Sequence, residues 1–160
     1  MSAVRLRVIG CGNPEAGDDA VGLLAAGLAS RRLPPEIDVV QTGVSLRVLD
    51  LLEDVDAVVI VDAVRAPAGD RAPGTIVRAV GDGDGLPAEL RGSLSSHGLG
   101  LAEAVGLAAV MGPLPRVAFL GVEVGDLTAG HGLSPAVAAA LPALVDTIVF
   151  EVVALAEAPA

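Results

Sequence analysis

Short apolar runs alternate with amphipathic stretches along the chain, a pattern typical of a protein in which strands and helices follow one another. Strands are predicted where β-branched and other apolar residues run together, at residues 4–9, 37–42, 57–63, 75–80 and 116–124. Helices are predicted where apolar residues recur every three or four positions, at residues 19–31, 45–54, 97–111 and from Pro135 towards Ala156. The order βαβαββαβα predicts a mostly parallel sheet with helices on both faces.

Turn and cap residues refine this pattern. The loop A-P-A-G-D-R-A-P-G between the third and fourth strands is too short for a parallel crossover, so these strands are expected to be antiparallel neighbours. Ser45 is expected to cap the second helix with its hydroxyl group. Ser134 and Pro135 provide an N-cap followed by a proline in the first turn, where its missing N–H costs nothing.

Composition narrows the class of protein. The chain has 160 residues, 52% of them hydrophobic, which suits a single domain, residues 1–160. Its net charge of -10 and the lack of a basic cluster argue against a nucleic-acid partner. The single cysteine, Cys11, cannot form an internal disulfide, and no charged, apolar leader precedes the first strand. Pro142, Asp146 and Glu151 interrupt the most hydrophobic segment, so no membrane span is expected, and the protein is expected to be cytoplasmic.

Four acidic residues are expected at the carboxyl edge of the sheet, where α/β proteins bind their ligands: Asp18, Asp19, Asp62 and Glu123. Asp18 is interpreted as a structural carboxylate that accepts backbone N–H groups at the helix start. Capping explains Asp19 less well because it lies one residue further into the helix, and a functional role is favoured. Asp62 ends a continuous apolar strand, where an unpaired charge would be costly to bury.

One of the two histidines adds a third candidate ligand. His97 opens a predicted helix in S-S-H-G-L-G-L, and a histidine there could equally be a helix-terminus residue without chemistry. Beside two acids it becomes a candidate ligand, because imidazole with carboxylates suits Zn, Ni, Fe or Cu and leaves coordination positions open. His131, in T-A-G-H-G-L-S-P, has no such neighbours and is interpreted as a surface residue.

Two other interpretations of the first turn are weaker. Gly10 and Gly12 begin a dinucleotide-binding pattern, but Glu15 stands where its third glycine is required, and the neighbouring acids would repel a phosphate. Cys11 could be a nucleophile served by His97. A small thiol between two glycines at a strand end is more often a packing residue, and that interpretation is preferred.

The opening segment G-C-G-N-P-E-A-G-D-D-A-V-G resembles the signature of the hydrogenase maturation proteases. The resemblance continues in family order through T-G-V-S-L-R-V-L-D-L-L, V-V-I-V-D-A, P-G-T, S-S-H-G-L-G-L, F-L-G-V-E-V and G-L-S-P-A-V. It implies a three-layer αβα fold with a mostly parallel five-stranded sheet, one strand being antiparallel. It also implies an endopeptidase that trims a C-terminal extension from the large-subunit precursor of a [NiFe] hydrogenase.

By motif, the resemblance makes Asp19, Asp62 and His97 both the metal ligands and the catalytic residues. The nickel is expected to arrive in the precursor, so that cutting follows metal insertion, and no tightly bound metal is expected on the chain itself because three ligands make no closed site. Ala20, Val124 and Val44 stand where the family often has Gly, Pro and Gly. Two alternatives remain open at this point, namely a nickel-binding accessory protein without peptidase activity and a related peptidase that cuts another precursor.

Overall fold

Strands and helices alternate in the order that the sequence predicts. The structure, a computed structural model, describes residues 3–82 and 100–158. Its strands are β1 (Leu6–Cys11), β2 (Asp38–Thr42), β3 (Ala57–Val64), β4 (Ile76–Asp82) and β5 (Arg116–Glu123). The α-helices in these residues are α1 (Val21–Ser30), α2 (Val48–Leu51), α3 (Leu101–Met111) and α4 (Pro135–Glu157).

The strands form one sheet in the order β2-β1-β3-β5-β4. Neighbouring strands are parallel except for β4, which runs antiparallel to β5. The mostly parallel five-stranded sheet is therefore confirmed. Because its parallel strands end at one edge, the residues that follow β1 and β3 meet there, as an α/β ligand site requires.

The position of β4 differs from the expectation that it pairs with β3. All eight residues of β3 pair with β5, from Ala57 opposite Arg116 to Val64 opposite Glu123. That side of β3 is therefore occupied. The short loop after β3 crosses the end of β5, and β4 pairs with the far side of β5, with Ile76 opposite Val122. The antiparallel direction of β4 was predicted correctly, but its predicted neighbour, β3, was wrong.

Hydrophobic side chains cover both faces of the sheet, which explains why β3 is a continuous apolar run. Val59 and Val61 point to one face and pack in a core with α1 and α4. Val58 and Ile60 point to the other face and pack in a core with α2 and α3. The three-layer αβα arrangement is confirmed, and Asp62 has the same alternation as Val58 and Ile60, which places it on the α2–α3 face.

The longest helix has the extent that the sequence predicts, from Pro135 to Glu157. Pro142, Asp146 and Glu151 do not interrupt α4, a helix of 23 residues that contains an 18-residue stretch with a mean hydropathy of 2.0, enough by length and composition alone to cross a bilayer. The expectation that these three residues leave no apolar segment of that length was wrong, because the helix continues through Pro142 even though an internal proline removes one backbone hydrogen bond and costs roughly 3 kcal/mol. One side of α4 belongs to the core, and its buried Glu151 is paired with Arg78 on β4.

The second predicted helix, residues 45–54, is shorter than expected. A 3₁₀ helix at Ser45–Arg47 leads into a single turn, α2. Ser45 lies inside the 3₁₀ helix and makes no capping hydrogen bond, so its predicted role was wrong. Ser134 does precede α4 with Pro135 in the first turn, but its hydroxyl group donates to Asp18 instead of capping the helix.

Candidate active site

Asp62 and Cys11 occupy neighbouring positions at the carboxyl edge. Gly10 pairs with Val61 in the parallel register of β1 and β3, which places Cys11 beside Asp62 on the α2–α3 face. Cys11 is buried, whereas Asp62 is partly exposed and accepts a hydrogen bond of 2.8 Å from the backbone N–H of Ala63. The acid predicted from the strand end is therefore available to a ligand at this edge.

Asp19 reaches the same edge because the segment after β1 turns back tightly onto the strand ends. It lies in a 3₁₀ helix, Gly17–Ala20, which leads directly into α1. Gly12 has a φ of 151°, and a Cβ atom there would lie 1.9 Å from the carbonyl oxygen of Asp19. A Cβ atom on Gly22 would lie 2.3 Å from the carbonyl oxygen of Cys11. These contacts require glycine, because any side chain would push Asp19 away from the sheet.

The two acids are electrostatic neighbours. Burial raises the pKa of Asp62 from 3.8 to about 7, and the negative charge of Asp19 contributes to that shift. The N–H of Ala63 opposes the effect without cancelling it. The sequence predicted a like-charge pair at this edge, and the structure brings its two members, Asp19 and Asp62, together.

A cationic partner for this pair is missing from the part of the chain that the structure describes. Within residues 3–82 and 100–158, no arginine or histidine side chain forms an ion pair with Asp19 or Asp62. The same residues contain no group of three or more His, Cys, Asp or Glu side chains that could hold a metal ion. The third predicted ligand, His97, lies outside the described residues.

Asp18 fastens the segment that carries Asp19 to the loop after β5. Its buried carboxylate accepts hydrogen bonds from the backbone N–H groups of Gly125, Asp126 and Ser134 and from the Ser134 hydroxyl group, at 2.6–2.8 Å. Burial alone would raise the pKa of Asp18, but these hydrogen bonds outweigh it and lower the pKa below 3.8. Its structural role is confirmed, although its partners lie in the loop after β5 and at Ser134, the residue before α4, and not at the start of its own helix.

Glu123, the fourth predicted edge acid, is also a structural residue. It is buried, and its carboxylate accepts a hydrogen bond from the N–H of Ala66 and forms an ion pair of 3.0 Å with Arg71. The loop between β3 and β4 supplies both partners. Glu123 therefore anchors that loop to the end of β5, and its oxygens are already engaged.

The environment of Cys11 makes it a poor nucleophile. Burial raises the pKa of its thiol well above 9.0, and the charges of Asp62 and Asp19 raise it further. The thiolate is the reactive form, so at neutral pH this side chain is a protonated thiol packed in the α2–α3 core. The packing interpretation is supported over the nucleophile.

Sequence analysis missed one residue that supports Asp19. The backbone N–H of Asn13 donates a 3.1 Å hydrogen bond to Asp19 Oδ2, and the Asn13 side chain accepts one from the N–H of Glu15. An asparagine before proline in a glycine-rich turn is a recognisable signal for such a turn. His131 is exposed, 3.4 Å from Asp126, as expected for a surface residue.

Three features characterise this protein: an αβα fold, a pair of carboxylates at the carboxyl edge of the sheet, and a tight glycine turn that holds Asp19 against the strand ends. A sequence model described as hydrogenase maturation protease matches residues 23–151, more than half of the chain. The chain belongs to the hydrogenase maturation protease family. It is therefore a peptidase, and it acts on a hydrogenase precursor. The matched range includes Asp62 and His97 and begins just after Asp19.

Solved structures share the fold. The hydrogenase maturating endopeptidase HybD from E. coli is 23% identical, with a TM-score of 0.78 over 94% of this chain and 93% of that one. The hydrogenase 2 maturation peptidase from the Thaumarchaeota archaeon SCGC_AB-539-E09 is 28% identical, with a TM-score of 0.65 over 94% and 99%. The [NiFe] hydrogenase maturation protease HybD from Thermococcus kodakarensis is 22% identical, with a TM-score of 0.66 over 96% and 99%. No curated protein matches the chain in sequence.

Proposed function

We propose that this peptidase removes a C-terminal extension from the large-subunit precursor of a [NiFe] hydrogenase after nickel insertion, and that it recognises the nickel held by the precursor. The observation that carries the proposal is the pairing of Asp19 with Asp62, whose mutual repulsion contributes to a pKa of about 7 for Asp62. Two carboxylates in this arrangement favour a divalent cation between them, because the cation removes the repulsion and restores the charged form of Asp62.

The ligand set suits nickel that is delivered by another protein. Carboxylate oxygens from Asp19 and Asp62 with an imidazole nitrogen from His97 form a mixed O and N set of the kind that binds Ni, Zn, Fe or Cu. Three protein ligands leave coordination positions open. A precursor that already holds nickel can fill those positions with its own ligands, so that tight contact forms only when the metal is present.

Hydrolysis then needs a water molecule, an activated carbonyl group and a proton acceptor. Nickel at the acid pair would polarise the scissile carbonyl group or lower the pKa of the water. The water oxygen bonds to the carbonyl carbon while Asp19 or Asp62 accepts the proton. The C–N bond then breaks, and the proton passes to the leaving amine nitrogen. The high pKa of the Cys11 thiol supports this water route over a thioester intermediate.

The loop after β2 offers a surface for the precursor beside the acid pair. Val44 and Leu46 are 60% and 46% exposed, and a Cβ atom on Gly43 would lie 3.4 Å from the carbonyl oxygen of Gly12. Large apolar side chains at this level of exposure suit contact with a partner. Val44 stands where the family often has glycine, so it would narrow this side of the substrate groove.

The protein is proposed to act as a soluble cytoplasmic enzyme. The nickel-loaded precursor is its partner, and the nickel belongs to that partner instead of being a resident cofactor. Gentle chelation of the purified chain should accordingly remove any metal it carries. Stoichiometric nickel or zinc that survives chelation would indicate a resident metal and contradict this part of the proposal.

Substitution of the three ligands tests the proposal. Asp19→Asn, Asp62→Asn and His97→Ala should each reduce cleavage of the nickel-loaded precursor by about 100-fold or more, since losing even a residue that only supports a ligand can cost roughly 10- to 100-fold. Glu103→Gln, in the first turn of α3, removes an exposed carboxylate and is the matched control. Cleavage is followed by intact mass, and circular dichroism verifies the fold. Normal cleavage by any of the three ligand variants would contradict its assignment, and no cleavage by the wild type would contradict the proposed substrate.

A further inference from the structure

A groove lies at the amino edge of the sheet, opposite the acid pair. Its volume is about 920 Å³, and it is lined by residues next to the first residues of β1, β3 and β5 and by the loops that follow α2 and α3. Leu52 is buried at this site, and Leu49, Val55 and Leu114 are partly exposed. The groove therefore has an apolar floor that is open to solvent.

The apolar surface continues onto the last turn of α3. Met111, which lines the groove, is 72% exposed, and its neighbour Val110 is 85% exposed. Methionine is unbranched and adaptable, which suits a surface that accepts another chain's apolar side chains. An apolar patch of this kind on a folded protein marks a place for contact with a partner.

Carboxylates line one side of the apolar floor. Asp50, Glu53 and Asp54 are exposed on the α2 side of the groove. Among residues 3–82 and 100–158, none of the three forms an ion pair. The fourth groove acid, Asp56, is paired with Arg5. Arg116 also lines the groove, so its four acids and two arginines leave a net charge of -2, and a complementary segment carries Lys or Arg beside apolar side chains.

The separation of the two edges limits what can occupy both sites. The groove lies near Ala57, the first residue of β3, and Asp62 is five residues further along the strand, about 17 Å away at roughly 3.3 Å per residue. A peptide of two or three residues on either side of the scissile bond cannot reach the groove. A folded protein substrate can touch both, and the family acts on a hydrogenase precursor.

We propose that the amino-edge groove is a second docking site for the hydrogenase precursor, and that it takes a basic, apolar segment of that protein. This inference rests on the proposed function, because it concerns the same precursor. Docking there holds the precursor while its extension reaches Asp19 and Asp62. The enzyme then selects its substrate at two sites: it recognises nickel at the carboxyl edge of the sheet and binds a basic surface segment at the amino edge.

Removal of the three unpaired carboxylates of the groove tests the docking site. The triple variant Asp50→Asn/Glu53→Gln/Asp54→Asn removes three charges without changing side-chain size. Asparagine is suitable in place of Asp54 because the backbone there has a φ of 59°, which asparagine tolerates. The matched control, Glu36→Gln/Asp70→Asn/Glu157→Gln, removes three exposed charges outside the groove. Met111→Ser tests the apolar floor independently.

The groove variant should raise KM for the nickel-loaded precursor roughly 5- to 50-fold while kcat stays within about twofold, since each exposed charge contact contributes a small factor. The effect should shrink between roughly 0.05 M and 0.5 M salt as screening increases. Met111→Ser should raise KM in the same direction but without this dependence on salt. A KM for the groove variant within about twofold of the control triple would overturn the docking site, as would a change in kcat alone.

Direct binding separates this proposal from the proposed function. Asp62→Asn protein, with and without the groove substitutions, is titrated with fluorescently labelled precursor and followed by anisotropy. Weaker binding by the groove variant supports the docking site even if the wild type cuts nothing, a result that would overturn only the proposed function. Equal binding by both proteins, with normal cleavage by the wild type, would remove the docking site and leave the proposed function standing.

Discussion

Replacing Asp62 with asparagine should stabilise the metal-free protein in a pH-dependent way. Burial and the neighbouring charge of Asp19 raise the pKa of Asp62 from 3.8 to about 7. Between these two values the unfolded chain carries an ionised Asp62 while the folded chain keeps it protonated. The folded state binds more protons in this range, so the free energy of unfolding falls as pH rises from about 4 to about 7.

The size of the effect follows from the two pKa values. Holding Asp62 ionised in the folded chain costs about 4 kcal/mol at pH 7 and above, because each pKa unit corresponds to about 1.4 kcal/mol. The asparagine side chain of the variant has no charge to bury. Apart from a difference that does not depend on pH, the free energy of unfolding of the variant should therefore equal that of the wild type near pH 4. At pH 8 it should be higher than that of the wild type by about 2 to 4 kcal/mol.

Urea unfolding followed by circular dichroism measures the difference at pH 4, 5, 6, 7 and 8, with a chelator present throughout. Asp19→Asn is the informative second variant, because it removes one cause of the raised pKa and should move the loss of stability to lower pH. Asp70→Asn, which removes an exposed carboxylate, is the control and should show no trend. A difference between Asp62→Asn and the wild type that stays flat from pH 4 to 8 would refute the reasoning that Asp62 is ionised only at a cost.

Three other substitutions test the surroundings of the acid pair. Asp18→Asn should lower the free energy of unfolding by about 2 to 4 kcal/mol, because buried N–H groups lose a charged acceptor. This loss should disappear as pH falls below about 4, where the wild-type carboxylate becomes protonated. A loss that urea unfolding shows to be independent of pH would contradict the role of the Asp18 charge. Gly12→Ala should lower the free energy of unfolding by about 2 kcal/mol, because the added Cβ atom would clash with the carbonyl oxygen of Asp19. The displacement of Asp19 should also weaken nickel binding in calorimetry, and unchanged binding would contradict the contact between residues 12 and 19. Cys11→Ala should cut the precursor normally, whereas an inactive variant with an unchanged circular dichroism spectrum would make Cys11 the nucleophile.

The fold could be predicted where local patterns determine it. The continuous apolar run at β3 indicated a strand covered on both faces. Successive residues of β3 do pack alternately into the two cores. Local patterns do not determine which strand pairs with which. The length of the loop before β4 indicated its direction, but the choice between β3 and β5 depends on β5, which lies more than thirty residues further along the chain.

The acid pair could be predicted because chain direction places strand ends and helix starts at one edge. Asp19 and Asp62 were found this way, as was the repulsion between them. The partners of Asp18 could not be found, since Gly125 and Ser134 lie more than a hundred residues away and nothing in either sequence segment indicates the contact. Ser45 failed as a cap because the chain enters a 3₁₀ helix at that residue, a choice that depends on packing against α3.

The dependence of cleavage on nickel tests the central claim most directly. One large-subunit precursor is prepared with and without nickel, and each form is incubated with the metal-free wild-type enzyme and with His97→Ala. The account predicts that the wild type removes the extension from the nickel-loaded form only, and that His97→Ala removes it from neither. Equal cleavage of both precursor forms by the wild type would contradict recognition of nickel in the substrate.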